Sequence, residues 1–401
     1  MYSTVRVTCP ANIGDKLHAV ETPALVVRRD ALHRNMQRMK DYVDSLDRPV
    51  LLRPHTKTHK CPALAKLQIE EYGAVGVCCQ KLDEAEPMVK SGVTDILLTN
   101  SFVGEKKIER LCQLAKKAKL SVVVDSIKNI MDIREGARKH GVTLNVLIEV
   151  NGGQQRCGIN VHDGLGGTDL CVSLAREIID SGPELTFKGI HCYGGFLQHI
   201  RSADERRARV LAEPVAAARV AVDGLLSAGI LCEVVTGAGT GSYKTEVEGS
   251  VHNELQPGSY CFMDADYGNN SDGYDVFENA LFIHSTVISK SVDSETRAVL
   301  DAGLKAISLD SGPPQAIEGF IDGTRKLADV EFLNGGDEHG ILSGRVAHLQ
   351  VGDTVRLIPG HIDPTVNMHQ FLVVVDTDEK DPSGEPIVVD VWDISGRSPG
   401  F

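Results

Sequence analysis

Short apolar runs alternate with amphipathic stretches along the first two-thirds of the chain. Runs suited to buried strands fall at Val50–Arg53, Ala74–Cys78, Asp95–Thr99, Ser121–Asp125, Leu144–Glu149, Phe187–Tyr193, Cys232–Thr236 and Ser259–Met263. Between them, Glu105–Lys119, Ser126–His140, Cys171–Ser181 and Asp204–Ala228 carry apolar residues at helical spacing, the last with a break expected at Pro214. An earlier strand at Thr22–Val27 precedes a helix near Asp30 to Val43, with Asp30 as its N-cap and Leu32, Met36, Met39 and Val43 on one face. Eight β units joined by seven crossover segments predict an α/β fold, a closed parallel (β/α)8 TIM-type barrel. An open doubly wound sheet is the alternative, but no Gly-x-Gly-x-x-Gly opens a helix after the first strand.

From about Asn279 the texture changes. Leu281–Ile288, Ala298–Asp301, Val330–Phe332, Thr354–Leu357, Phe371–Val375 and Ile387–Trp392 are short β-branched runs separated by turn residues, and Asp378–Gly384 reads as an exposed hairpin-like loop. They predict a C-terminal all-β domain of normal size. The division expected is a barrel over 29–275 and a β domain from 1–28 and 276–401, with the strand at Ala24–Val27 joining the β domain.

Composition narrows the function classes. A net charge of -13 over 401 residues argues against nucleic acid and anionic membrane surfaces, which need a concentrated positive face. No apolar run approaches membrane-spanning length, and Met1–Ala19 lacks the apolar core of a secretory signal. The ten cysteines form no Cys-x-x-Cys pair, and Cys192, Cys232 and Cys261 sit in apolar runs as buried thiols do. A reducing compartment follows: the cytoplasm, or an organelle reached by a leader since removed.

The densest chemistry is Arg53-Pro54-His55-Thr56-Lys57-Thr58-His59-Lys60, directly after the first barrel strand. Loops at strand ends are where a barrel exposes its chemistry, and a lysine there, flanked by cations that lower its pKa, can act as a Schiff-base nucleophile. Taken alone, the octet reads equally as a solvated basic loop. Thr236-Gly237-Ala238-Gly239-Thr240-Gly241-Ser242 follows the seventh strand, where barrels usually bind phosphate, and Glu254-Leu255-Gln256-Pro257-Gly258-Ser259-Tyr260 offers a second cradle leading into the eighth. Arg156, His191 and Tyr193 also fall at the C-terminal ends of strands. A lysine, a phosphate loop and convergent polar groups together describe a pocket for pyridoxal 5'-phosphate. In the β domain, His361-Ile362-Asp363 places an imidazole and a carboxylate on one side of an extended segment, a donor pair suited to Mn²⁺ or Mg²⁺, or else a hydrogen-bonded turn before Pro364. His339 and His369 are further polar candidates with the same two readings.

These motifs, with Cys78-Cys79-Gln80-Lys81, Gly153–Gly158, Phe262–Gly268, Asp301–Lys305 and Asp337–Gly340, make the chain resemble the D-threonine aldolase branch of the fold-type III pyridoxal-phosphate enzymes. That superfamily includes alanine racemase and D-serine dehydratases, and the resemblance covers nearly the whole chain. It implies that Lys57 carries the cofactor, that Arg156 contacts its phenolic oxygen, and that His361 and Asp363 bind the metal. Thr236, Gly239, Thr240, Gly258 and Ser259 are the expected phosphate residues, with Gln256 or Tyr193 at the ring nitrogen. Gln256 stands where racemases carry an arginine, which speaks against racemase activity. Asp363 stands where the dehydratase relatives carry a zinc-favouring cysteine.

The implied reaction is metal-dependent retro-aldol cleavage of a D-β-hydroxy-α-amino acid, such as D-threonine, to glycine and an aldehyde. His59 or His55 relays protons or holds Lys57 in place. The alternatives are dehydration or cleavage of D-serine or 3-hydroxyaspartate, and a non-catalytic pyridoxal-phosphate carrier. The resemblance also implies a homodimer in which His361 and Asp363 reach the partner's Lys57 pocket.

Overall fold

A computed structural model describes residues 8–161, 166–290, 295–318, 325–326, 329–377 and 384–398. The chain divides into two compact units. One holds the residues up to Arg38, Thr58–Cys61 and Ser259–Arg397, and the other Met39–Lys57, Pro62–Gly258 and the last residues.

The second unit is built on eight parallel strands: Leu51–Leu52, Val77–Cys79, Asp95–Leu98, Lys119–Val124, Leu144–Asn151, Leu185–Tyr193, Val234–Gly237 and Glu254–Leu255. The last pairs with both Val234–Gly237 and Leu51–Leu52. A parallel bridge between His55 and Cys78 joins the remaining two edges, so the ring closes as a barrel. Alternation along each strand sorts its side chains. Val77, Cys79, Ile96, Leu98, Val122, Val124, Val146 and Ile148 pack outward in the large core under the helices. Their neighbours Cys78, Leu97, Val123 and Leu147 fill the barrel axis with Val234. Strands buried on both faces explain the unbroken apolar runs in the sequence.

Helix boundaries follow local chemistry. Ser126 caps Ile127–His140 by accepting from Asn129 N–H at 3.3 Å, and Gly141 ends it with φ at 63°. The break expected at Pro214 is a single π-helical turn, Leu211–Val215, between Ala203–Val210 and Ala216–Ser227. The ring nitrogen of proline donates no hydrogen bond, and one widened turn accommodates that without ending the helix.

One barrel strand differs from expectation. The eighth is Glu254–Leu255, whereas Ser259–Cys261 is a 3-10 turn. The apolar run Tyr260–Met263 is buried without being a strand, since a short apolar run carries no periodicity to separate the two. Gln256 and Gly258 therefore lie beyond the C-terminal end of the eighth strand rather than before its start.

The other unit is a ten-stranded sheet. Ala24–Arg28 lies at its centre, antiparallel to Leu281–Ser289 and parallel to Phe371–Thr377, which pairs in turn with Pro386–Asp393. On the other side Thr354–Ile358 joins Leu281–Ser289 to Gln315–Glu318 and Arg325–Lys326. Arg297–Leu300, Gly340–Gly344 and Val330–Asn334 extend from Leu281–Ser289 as a three-stranded flap. Three of these strands, Gln315–Glu318, Arg325–Lys326 and Gly340–Gly344, were not expected, because glycine and charge interrupt their alternation. Residues 378–383 of the expected hairpin loop lie outside the described residues.

Candidate active site

The barrel places its candidate residues at the C-terminal ends of its strands. Lys57 sits half-buried in a 3-10 turn, Thr56–Thr58, just past the first strand. Its backbone N–H donates to His55 Nδ1 at 3.3 Å. His55 Nε2 therefore carries the proton and donates to Thr99 Oγ1 at 2.9 Å, and Thr99 donates to Gln80 Oε1 at 3.0 Å. Both His55 nitrogens are occupied in holding the Lys57 turn. His59 is fully buried, and its Nδ1 accepts from Cys61 N–H at 3.0 Å.

The loop after the seventh strand is tightly organised. Ala238 adopts φ 72°, and a Cβ on Gly239 would lie 2.5 Å from the Gln198 amide, so only glycine lets the loop close on that side chain. Gln198 Oε1 accepts from Gly241 N–H at 2.7 Å, and Gln198 Nε2 donates to Ser242 Oγ at 2.9 Å. Ser242 Oγ also accepts from Gly239 N–H at 3.0 Å and donates to Glu246 Oε2 at 2.8 Å. Thr240 Oγ1 is buried without a hydrogen-bond partner among the described residues. A buried orphan hydroxyl on a glycine-rich loop fits a phosphate acceptor, and the loop passes that test for pyridoxal phosphate. Nothing in the local sequence marks Gln198 as a support, because it comes from a separate segment, whereas Glu246 lies four residues after Ser242.

Burial pushes the Glu246 carboxyl up to about 8, against hydrogen bonds from Ser242 and the Ala238 N–H that pull it down. Unfolded glutamate titrates near 4.5, so folding takes up a proton between the two values. This contribution to stability is complete below pH 4.5 and is lost as pH rises towards 8. Glu246→Gln removes that loss. In urea titrations of cofactor-free protein, the variant should gain on the wild type between pH 5 and pH 8 by on the order of 2 kcal/mol.

Arg156 is exposed in the loop after Leu144–Asn151, which Asn151 Oδ1 shapes by accepting from Gly153 N–H at 3.0 Å and Gln155 N–H at 3.1 Å. Tyr193 ends the sixth strand, half-buried. Deeper in the barrel, Glu149, His191 and Thr236 are register partners on adjacent strands. His191 Nδ1 meets Glu149 Oε2 at 2.6 Å and His191 Nε2 meets Gln256 Oε1 at 3.2 Å, while Gln256 Nε2 donates to Thr236 Oγ1 at 2.6 Å. Burial alone would lower the His191 pKa, but the charge and hydrogen bond of Glu149 outweigh it and hold the imidazole above its ordinary value.

The β unit holds Ser259, which opens the 3-10 turn Ser259–Cys261, and the His361/Asp363 pair. The segment is not extended throughout. His361 has β geometry, with φ -143° and ψ 126°, but it caps a helix, Ile362–Met368, and Asp363 lies in that helix's first turn. Pro364 falls early enough in the helix to lack no hydrogen bond, so it starts the element rather than breaking it. His361 Nδ1 bonds Asp310 Oδ2 at 2.7 Å, which directs Nε2 outward as the nitrogen for a ligand. Burial would raise the Asp310 carboxyl, but bonds from Ser308 and His361 outweigh it and keep the group below its ordinary value. Below this segment, Asp264 is buried and accepts from the N–H groups of Tyr267 at 2.9 Å and Ile362 at 3.1 Å. Burial pushes it up to about 7, against those bonds and the charge of His361.

Among the described residues no group of three or more His, Cys, Asp or Glu side chains is set to hold a metal. An imidazole plus a carboxylate, the imidazole braced by a second carboxylate, fits an ion that keeps most of its coordination for water and substrate. His369 is bonded through Nε2 to the Ala306 carbonyl at 2.8 Å, and His339 is exposed. Asp310 was not legible as the brace, since it lies 51 residues before its histidine in an irregular loop.

Residues 27–266 match the alanine racemase N-terminal domain, and residues 280–375 match the putative serine dehydratase domain. A 3-hydroxy-D-aspartate aldolase of Paracoccus denitrificans (strain Pd 1222) is 40% identical over 98% of this chain and 96% of its own. A D-threonine aldolase of an Arthrobacter species is 40% identical over 97% of this chain and 96% of its own. The crystal structure of D-threonine aldolase from Filomicrobium marinum superposes with a TM-score of 0.88 at 39% identity, covering 98% of this chain and all of that one. No helix among the described residues is long and apolar enough to cross a membrane. On these matches the chain belongs to the alanine racemase-like, fold-type III family of pyridoxal-phosphate enzymes, on its D-threonine and 3-hydroxy-D-aspartate aldolase branch.

Proposed function

We propose that the protein is a pyridoxal-phosphate- and divalent-metal-dependent aldolase. It cleaves D-β-hydroxy-α-amino acids to glycine and an aldehyde: acetaldehyde from D-threonine, glyoxylate from 3-hydroxy-D-aspartate. The observation that carries the reading is the 40% identity, over nearly the whole chain, to two aldolases of these substrates. The barrel unit, Met39–Lys57 and Pro62–Gly258 rather than the expected 29–275, binds the cofactor, and the β unit carries the metal pair.

The ε-amine of Lys57 would hold the cofactor as its attachment point. Thr240, Gly239, Gly258 and Ser259 hold the phosphate, Arg156 the phenolic oxygen, and Gln256 or Tyr193 the ring-nitrogen side. His361 and Asp363 would hold the Mn²⁺ or Mg²⁺ ion. When bound, the cofactor supplies an electron sink for the carbanion at Cα and the ion supplies Lewis acidity at the β-oxygen. His59 accepts the β-hydroxyl proton as the Cα–Cβ bond breaks, while His55, both nitrogens engaged, positions Lys57. Protonation at Cα then completes glycine. A homodimer in which one protomer's metal pair serves its partner, and a cytoplasmic location suited to ten unpaired thiols, complete the proposal.

Product analysis with D-threonine, in Mn²⁺ and then in EDTA, tests it. Glycine and acetaldehyde appearing only with metal are expected. Ammonia and 2-oxobutanoate would make the protein a dehydratase instead. Asp310→Asn keeps the fold but removes the charge that braces His361. It should weaken Mn²⁺ affinity by about 10- to 100-fold in a direct titration.

A further inference from the structure

The inward-facing layer above the apolar plug of the barrel is polar. Glu149 lies two residues beyond Leu147 on the same strand face, and its register partners carry the layer round to His191 and Thr236. All three, with Gln256, are at least nine-tenths buried. Their hydrogen bonds form one line from carboxylate to hydroxyl, and the Gln256 amide can sit in that line in two senses, with Nε2 of His191 either donating to its carbonyl or accepting from its amide.

In one direction, His191 carries protons on both nitrogens, donating from Nδ1 to Glu149 and from Nε2 to the Gln256 carbonyl. The Gln256 amide N–H then donates to Thr236, whose own hydrogen is left to point onward. In the other, His191 is neutral and accepts at Nε2 from the Gln256 amide. Thr236 then donates back to the Gln256 carbonyl and offers the pocket only a lone pair. The 2.6 Å approach of a buried carboxylate to Nδ1 favours the first, because a buried carboxylate needs an opposite charge beside it. The other ionisable groups around His191 do not compete for that role. Arg156 opposes its protonation from an exposed loop, and His252 is neutral, pushed down to about 4 by burial. Among the described residues, Thr236 Oγ1 has no acceptor for its hydrogen.

We propose that Glu149 and His191 are positioning residues that, through Gln256, fix the Thr236 hydroxyl as a donor to the bound cofactor. The proposal rests on the barrel mouth being the cofactor site. It adds that the cofactor atom against Thr236 is an acceptor, either a phosphate oxygen or an unprotonated ring nitrogen. It also explains Gln256 differently from a direct ring contact, since both ends of its amide are engaged in the line.

The direction can be read without turnover. In the holoenzyme carrying ¹⁵N-labelled histidine, with His191 assigned from the His191→Asn variant, both ring nitrogens of His191 are expected to be protonated. A neutral ring with bare Nε2 would overturn the proposal. Gln256→Glu gives an independent test, because a carboxylate at that position can only accept. It turns the Thr236 hydrogen inward, and cofactor affinity should fall about tenfold, the loss of one hydrogen bond of ordinary strength. Thr236→Val should match that loss and add little to Gln256→Glu. Unchanged affinity in folded Gln256→Glu would show that the hydrogen already points inward. The ³¹P signal of the cofactor, or the ¹⁵N signal of a ring-labelled cofactor, shifts in Thr236→Val according to which atom is the acceptor; if neither signal moved, Thr236 would not be a donor to the cofactor. Protonated His191 with no aldolase products would remove the proposed activity and leave this inference standing.

Discussion

Lys57→Ala is expected to abolish turnover, lowering kcat/KM for D-threonine by about 10⁴-fold or more. The size of the effect follows from position. Lys57 is the half-buried member of a turn whose neighbours Thr56, Thr58 and His59 are fully buried, so it alone presents a long amine from that strand end. Its backbone is held by His55, which Thr99 and Gln80 hold in turn. A fixed backbone with a flexible amine suits a group that must bind the cofactor covalently and then release it. Lys57→Arg separates charge from nucleophilicity, because the guanidinium stays protonated and cannot make the bond. Both variants should lose the visible absorbance of lysine-linked cofactor and keep the far-ultraviolet circular dichroism of the fold. An active Lys57→Ala enzyme with that absorbance intact would exclude Lys57 as the attachment point.

The sequence made the barrel legible because its strands are buried on both faces. Runs such as Ser121–Asp125 and Leu144–Glu149 hold unbroken apolar triplets, Val122–Val124 and Val146–Ile148, and the structure places strands at Lys119–Val124 and Leu144–Asn151. Where that signal is short it misleads. Tyr260–Met263 is as apolar as a strand but packs as a turn, and the true eighth strand is two residues, Glu254 and Leu255, one of them charged. Glu254 is tolerated there because Arg53 on the neighbouring strand donates to it at 2.9 Å, a contact between residues 201 positions apart. The same distance rule governs the site. Lys57, the glycine loop and His361 stand in local motifs and could be singled out as candidates from the sequence. Gln198, Glu149 and Asp310 act through partners far along the chain, so no local spacing announces them. The helical start at Asp363 was also hidden, because a proline after His-x-Asp reads as a turn and as a first helical turn alike.

The metal pair carries the second large effect, and it differs in kind from the first. His361→Ala and Asp363→Ala should each lower kcat by about 10³-fold, several kcal/mol of lost Lewis acidity, while leaving cofactor absorbance unchanged. The two groups enter unequally. His361 is braced by Asp310, so its removal deletes an oriented ligand, and added imidazole should restore part of the rate. Asp363 opens a helix, so Asp363→Asn keeps the helical start and removes the charge that an oxygen-preferring ion needs. Asp363→Cys goes further: a thiolate beside the imidazole should move preference from Mn²⁺ or Mg²⁺ towards Zn²⁺, seen as a changed order of rates across the three ions. The contrast with Lys57 separates the two proposed roles. Loss of Lys57 removes cofactor signal and rate together, whereas loss of the pair removes rate alone. A His361→Ala/Asp363→Ala enzyme that still released acetaldehyde in EDTA would leave the aldolase without its metal and place the β-hydroxyl chemistry on His59.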